Sequence, residues 1–329
     1  MILALETSCD DTCAAVVSGD GHVLSNVISS QEVHDAYGGV VPEIASRQHL
    51  QLVNLVVDDA LARAHVTLDD VRAIAVTRGP GLVGALLVGL ATAKAIAVAR
   101  GLPLIPVDHL QGHVAANFLG PDPLEPPFLC LIASGGHTFI ARVEDHRSFT
   151  VLGRTLDDAA GEALDKGARL LGLPFPGGPH IERLAREGDP GAFAFPLARG
   201  VRGLDMSFAG VKTALLYAVR DLDAAGGSAG RRADLAASYQ HAVVQQLAVR
   251  VERALEQTGL QQLAIGGGVA ANGPLRDRLQ ALAPTVRIPD RALCTDNAAM
   301  IAGAARHLPP AAADQIAGLD AYATDRQAL

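Results

Sequence analysis

Short apolar runs bounded by turn residues alternate along this chain with longer stretches of helical periodicity. The first run, Met1–Glu6, predicts a buried strand, followed by a turn at Thr7–Thr12 and a second strand at Cys13–Val17. A Gly-Asp-Gly turn at Gly19–Gly21 leads into a third strand, His22–Ser29. A helix from Glu43 to about Ala64, a strand at Ala73–Thr77, a Gly-rich turn at Gly79–Gly84, a helix at Leu86–Ala99 and a strand at Leu104–Val107 come next. The second half opens the same way, with strands at Phe128–Ala133, Thr138–Val143 and Phe149–Gly153. A helical insert runs from about Asp157 to Leu255, broken at Pro176–Gly178 and Ala224–Gly230. Strand Gln262–Gly266, helix Pro274–Leu282, strand Val286–Ile288 and helix Asn297–His307 then resume the pattern. Hairpin-linked strands followed by helix–strand alternation predict an antiparallel edge joined to a parallel sheet. Its single recurrence predicts an internal duplication. The expected division is a first lobe at 1–108, with the helix at about 296–308 packing back near it. The second lobe covers 109–295 with the insert at about 157–255, and an Ala-rich tail of no evident meaning spans 309–329.

Composition sharpens that picture in three ways. At 329 residues the chain suits two lobes of about 150 residues each. Apolar residues reach 49% and charged ones 19%, enough for packed cores, while aromatics at 4% and no Trp leave Ala, Val, Leu and Gly to fill them. The net charge of −8 argues against a free-standing nucleic-acid binder coated in positive potential. Cys9, Cys13, Cys130 and Cys294 form no CxxC pair and read as reduced thiols of a cytoplasmic protein. No signal peptide is expected, because Glu6, Asp10 and Asp11 interrupt the apolar start. The apolar stretch Leu82–Val98 carries Lys94 and two glycines and reads as a buried, Ala-rich helix, with no membrane span.

Several segments can carry chemistry. The turns Thr7–Thr12 and Ser134–Thr138 sit at equivalent places in the two halves, and such turns can aim backbone N–H groups at phosphate. The loop Gly266–Asn272 fits a loose GxGxxA pattern; it is either a tight strand–helix turn or a platform for a base and ribose with Asn272 as polar contact. His109 and His113 lie at helical spacing i, i+4, on one face, where they could share a metal or simply be capped or solvated. Gln111 is not a metalloprotease glutamate and the HExxH order is absent, so a zinc peptidase is unsupported. Asp296 reads by default as a helix N-cap, or as a third ligand completing two histidines and a carboxylate, a set that suits Fe(II) or a similar divalent ion. Asp10 and Asp11 could orient a reacting group or serve as turn residues. Asp165, beside Lys166, is either on a solvated helix face or an acceptor for ligand hydroxyls.

Taken in order, these segments resemble the bacterial tRNA N6-adenosine threonylcarbamoyltransferase family, once called O-sialoglycoprotein endopeptidases. The likeness runs from Leu5-Glu6-Thr7-Ser8-Cys9-Asp10 through Tyr37–Glu43, Gly79–Leu82, the His109/His113 pair, Ser134–Thr138, Asp157–Ala163, Pro176–Pro179 and Ser207–Thr213 to Thr295-Asp296-Asn297. The resemblance implies an α/β, actin-like ATPase fold of two duplicated lobes, each a mixed sheet flanked by helices, with a nucleotide cleft between them. It implies one divalent metal, commonly Fe(2+), on His109, His113 and Asp296, and substrate contacts from Ile132, Ala133, Ser134, Gly135, Gly136, Asp165, Gly178 and Asn272. The implied reaction moves threonylcarbamoyl from threonylcarbamoyl-AMP to tRNA, with Asp10 as the candidate catalytic group by position. Implied partners are a non-catalytic paralogue subunit and a small ATPase subunit, with no membrane; the acidic chain alone is expected to bind tRNA weakly. The family commonly has Glu where Gln111 and Asp11 stand, so a base role at 111 is lost while Asp11 is expected to keep its charge. A nucleotide-binding scaffold, a metallopeptidase and a sugar kinase of the same fold are the alternative readings.

Overall fold

The computed structural model describes residues 1–120, 122–227 and 229–324, and contacts divide the chain into two units. The first comprises Met1–Glu125 together with the chain from Thr295 onward. Its strands are β1 (Ile2–Glu6), β2 (Asp11–Val17), β3 (Val23–Ser30), β4 (Ala73–Gly79) and β5 (Leu104–Asp108), ordered β3-β2-β1-β4-β5. β1 is antiparallel to β2 and parallel to β4, so the sheet is mixed. Helices α1 (Pro42–Arg63) and α2 (Val83–Arg100) pack together over one face, closing a core of Leu3, Leu5, Val16, Ile74 and Val76 with Val53, Val57 and Leu90. Ala4, Ala15 and Ala75 alternate with those residues along the strands and turn to the other face. These small side chains let α10 (Ala298–Ala305), itself Ala-rich and wholly buried, lie close against β1 and β2. Low aromatic content and tight helix–sheet packing are therefore one fact. α2 is the one helix among the described residues long and apolar enough to cross a membrane, yet Ala85, Leu86, Val88, Leu90, Ala93 and Ala97 on it are buried in this unit.

The second unit is Pro126–Cys294. Its strands β6 (Phe128–Ala133), β7 (Thr138–Val143), β8 (Phe149–Arg154), β9 (Gln262–Gly266) and β10 (Thr285–Arg287) are ordered β10-β9-β6-β7-β8, the same topology read from the other edge. The predicted duplication is thus present in the strand order. The insert folds as α4 (Ala160–Leu170), α5 (Gly177–Ala185), α6 (Ala209–Ala224) and α7 (Arg232–Thr258), around Leu164, Phe208, Leu215, Tyr239 and Leu247. α8 (Gly273–Gln280) and the short α9 (Arg291–Cys294) follow. A long connection between α5 and α6 was not foreseen; the buried Arg250 holds it by donating to the carbonyls of Asp205 (2.8 Å) and Ala198 (3.0 Å). Of the expected break at 224–230, Ser228 lies outside the described residues, as do 325–329 of the expected tail.

The expected lobe boundary after residue 108 moves to Glu125. The cause is α3 (His109–Ala115), which packs on α10 in the first unit. Gly112 makes that approach possible, since a Cβ there would come within 2.7 Å of Ile301 Cδ1.

Candidate functional site

β5 delivers the chain to Asp108, whose carboxylate Oδ1 accepts from the backbone N–H groups of Leu110 (2.9 Å) and Gln111 (3.2 Å) and so starts α3 at His109. One turn later, His113 lies on the same face, the two imidazoles 4.7 Å apart between ring centroids. The third group comes from the far end of the chain. Asn297 caps α10, its side-chain oxygen accepting from Met300 N at 2.9 Å, so Asp296 is not the cap that its position suggests. Its carboxylate instead faces both histidines, 3.6 Å from His109 Nε2 and 3.3 Å from His113 Nε2. One donor atom from each of the three lies within 4.8 Å of the others.

Three observations test whether a cation fits there. His113 is fully buried; its Nδ1 makes no hydrogen bond, and its Nε2 only faces Asp296 Oδ1 at 3.3 Å. Buried polar atoms in folded proteins are almost always satisfied, so an imidazole short of partners and grouped with His109 and Asp296 suits a cation. His109 Nδ1 meets Glu6 Oε2 at 3.0 Å, an arrangement that fixes Nδ1 as a donor and turns Nε2 toward Asp296, where a cation would displace any proton on it. Burial alone would depress the His109 pKa, but the charges of Asp296 and Glu6 outweigh it and push it up to about 9. A site that attracts a proton this strongly attracts a divalent cation for the same reason. The donor set is nitrogen and oxygen only: burial, then Asp10 and Asp296, drive the Cys9 thiol far up, and burial does the same to Cys13, so neither is a thiolate. The residues fit a two-histidine, one-carboxylate metal centre.

Glu6 is the functional residue that sequence reasoning passed over. It is fully buried at the end of β1, accepting from Ser8 N and from Thr77 Oγ1 (2.5 Å) as well as facing His109. Its carboxyl stays below the usual range: burial would raise it, but His109 lowers it through charge and hydrogen bonding. The hairpin that follows is pinned from behind. Thr7 Oγ1 donates to Ala85 O (2.9 Å), and His49, buried between Thr12 (2.8 Å) and the Cys9 carbonyl (3.0 Å), ties α1 to the turn. Asp10 and Asp11 stand on this turn. Asp11 was expected to keep its charge, but burial raises its pKa from 3.8 to about 7, so near neutrality it is half protonated.

That shift gives a stability prediction with a definite sign. The folded value lies above the unfolded one, so the protonated form contributes stability below about pH 4 that is lost as pH rises through about 7. Asp11→Asn, a mimic of the protonated acid, is expected to raise the melting temperature of the metal-free protein by about 5 °C near pH 8 and to leave it unchanged near pH 4. A pH-independent difference in thermal melts would refute this.

In the second unit the expected substrate contacts form a local group. Ile132 and Ala133 end β6, and Ser134 begins a turn in which its N–H and hydroxyl donate to His137 O. Gly161 N donates to Ser134 O (3.0 Å), bringing α4 to this loop. Gly267, with φ of +87°, also lies against it, where a Cβ would collide with the backbone of Ala133. Asp165 Oδ1 accepts from Gly177 N at 2.7 Å, placing Gly178 next to α4. Asn272 is largely committed: its oxygen caps α8 through Leu275 N (3.0 Å), and its amide donates to Gln240 Oε1 (3.1 Å) and Glu182 Oε2 (3.4 Å).

Residues 22–303 match the family model described as tRNA N6-adenosine threonylcarbamoyltransferase. The chain belongs to the tRNA N6-adenosine threonylcarbamoyltransferase family. A protein of that name from Pelobacter propionicus is 52% identical over 317 residues, covering 93% of this chain and 92% of its own. Another from Symbiobacterium thermophilum is 53% identical over 313 residues, covering 94% and 91%. Among solved structures, component A of (R)-2-hydroxyglutaryl-CoA dehydratase from Acidaminococcus fermentans superposes with a TM-score of 0.56 at 14% identity, covering 93% of this chain and 96% of that one. At that identity it bears on the fold alone, which is the actin-like ATPase fold. His109, His113 and Asp296 all lie within the matched range.

Proposed function

We infer that this chain transfers the threonylcarbamoyl group from threonylcarbamoyl-AMP to N6 of the adenosine 3′-adjacent to the anticodon in tRNAs reading ANN codons. The observation that carries this reading is family membership combined with a complete two-histidine, one-carboxylate group. In the reaction, N6 attacks the carbamoyl carbon, the new C–N bond forms, the bond to the AMP oxygen breaks, and AMP leaves with the electron pair. One proton departs from N6. His109, His113 and Asp296 would hold a divalent ion, with Fe(2+) suited to this nitrogen–oxygen donor set, and it would supply a Lewis acid that offsets negative charge on the adduct.

The chain's own residues do the rest. Glu6 and Asp108 hold His109 in orientation and tautomer. Ile132–Gly136, Asp165, Gly178 and Asn272 are the proposed contacts to the nucleotide portion; closeness around α4 supports the first three, and Asn272 is included by its place in the Gly266–Asn272 loop. Asp10 is the proposed group that orients or deprotonates the amine. Its neighbour Asp11 is a second candidate, favoured by a pKa near 7 that matches the working range of a general base. The scaffold and metallopeptidase readings are not favoured: a scaffold has no evident use for a grouped pair of buried histidines and a carboxylate, and Gln111 cannot act as a peptidase base.

For partners, the reading is a non-catalytic paralogue subunit, a small ATPase subunit and tRNA. An apolar face supports the first. A Cβ on Gly84 would meet Ser46 at 3.5 Å where α2 packs on α1, and one turn beyond, Leu87 and Leu50 are 43% and 65% exposed. Mass spectrometry of nucleosides, from unmodified tRNA incubated with the adduct and reconstituted partners, is expected to detect threonylcarbamoyladenosine. Its absence with active partners would overturn the assignment.

A further inference from the structure

The tail, expected to be without meaning, is a strap across the first unit. Ala311 N donates to Leu104 O (2.8 Å), Ile316 joins the core beneath α1 and α2, and Lys94 Nζ donates to the carbonyls of Ala317 (3.1 Å) and Leu319. Further on, Arg78 Nε donates to Asp320 O (2.7 Å), Tyr322 N to Arg78 O (3.2 Å), and Gly81 N to Ala323 O (3.3 Å). The strap therefore runs along the end of β4 with the Tyr322 ring over Gly79. At its tip, the Tyr322 hydroxyl donates to Asp108 Oδ2 at 2.5 Å.

We propose that Tyr322 is a positioning residue for the metal centre, acting through Asp108 on the first turn of α3. The inference rests on the reading that His109, His113 and Asp296 hold a divalent ion. Asp108 ends β5 and directly precedes His109, and its two oxygens have divided duties: Oδ1 caps Leu110 and Gln111, Oδ2 takes the tyrosine. A carboxylate held at both ends cannot rotate without breaking one set of bonds. The cap then fixes where the helix begins around its axis, and so where both imidazoles point. α3 is short, so its first turn sets the direction of His113 as well as His109. Remote partners of this kind typically change metal affinity by about 10–100-fold when they touch a ligand directly, and less when one residue intervenes.

A merely structural strap makes a different prediction, and two variants of the full chain separate them. Tyr322→Phe keeps the ring over Gly79 and deletes only the hydroxyl. Lys94→Ala loosens the strap at Ala317 and Leu319, away from Asp108. Co(II) serves as the probe, read by its visible absorption and by competition with a chelator, with thermal melts of the metal-free proteins alongside. Tyr322→Phe is expected to weaken Co(II) binding about 5–20-fold and to alter the visible band, while Lys94→Ala lowers the melting temperature and leaves Co(II) affinity within about twofold. The proposal falls if Tyr322→Phe binds Co(II) within about twofold of the parent, or no more weakly than Lys94→Ala does. Failure of the parent to bind Co(II) would overturn the metal reading itself, and this inference with it.

Discussion

His113→Ala is expected to lose divalent-metal binding by more than about 100-fold and transferase activity with it, while the metal-free protein melts close to its parent. The second half of that statement is the unusual one. Truncating a buried ring leaves a cavity that costs roughly 2–4 kcal/mol. The His113 imidazole, however, brings two buried nitrogens short of partners, Nδ1 with none and Nε2 only facing Asp296 at 3.3 Å, together costing about 1–3 kcal/mol. Removing them offsets most of the cavity, so the metal-free stabilities differ by only about 1–2 kcal/mol. Adding metal separates the two proteins, because an ion that binds only the folded state raises stability by mass action. Thermal melts with and without Mn(II) or Fe(II), paired with the nucleoside assay, check this. A metal-induced shift of equal size in parent and variant would show that His113 is no ligand.

The strands were legible because a sheet covered on both faces demands continuous apolar runs, and β1, β2 and β6 are such runs. The shared face of the histidine pair was legible from helical spacing, whereas a metal-holding role was not, since the same spacing suits capped or solvated side chains. Asp296 was only half legible: Asp and Asn are about equally good caps, and nothing in the local sequence says that Asn297 takes the role and leaves Asp296 to face the histidines. Glu6 was visible as a carboxylate ending an apolar strand, but its partners Thr77 and His109 lie 71 and 103 residues away, beyond any local pattern. The strap was invisible because most of its anchors are backbone carbonyls, at Ala317, Leu319, Asp320 and Ala323, which carry no side-chain signature. Asp11 misled for a related reason: its charge is set by burial, which the sequence of a turn does not reveal.

Glu6→Gln is expected to weaken metal binding by about 10–100-fold despite near-identical shape. Every group facing the carboxylate is a donor: Ser8 N on Oε1, with Thr77 Oγ1 and His109 Nδ1 on Oε2. An amide must place its own N–H₂ on one side or the other. With nitrogen toward Ser8, donor meets donor and a buried backbone N–H is orphaned. With nitrogen toward His109, the threonine hydroxyl can rotate to accept, but the imidazole must accept as well, which moves its proton to Nε2. That is the atom facing Asp296 and the metal position, so the tautomer switch blocks ligation. Glu6→Ala goes further. It removes the negative partner of a buried histidine and leaves Ser8 N, Thr77 and His109 unsatisfied together, a loss of about 3–5 kcal/mol in folding stability. The graded pair distinguishes tautomer control from simple support of the fold. Glu6→Gln should melt near the parent yet bind metal weakly, whereas Glu6→Ala should do neither well. If Glu6→Gln bound Mn(II) as tightly as the parent in a calorimetric titration, the carboxylate would have no hold over the histidine, and the centre would depend on His109, His113 and Asp296 alone.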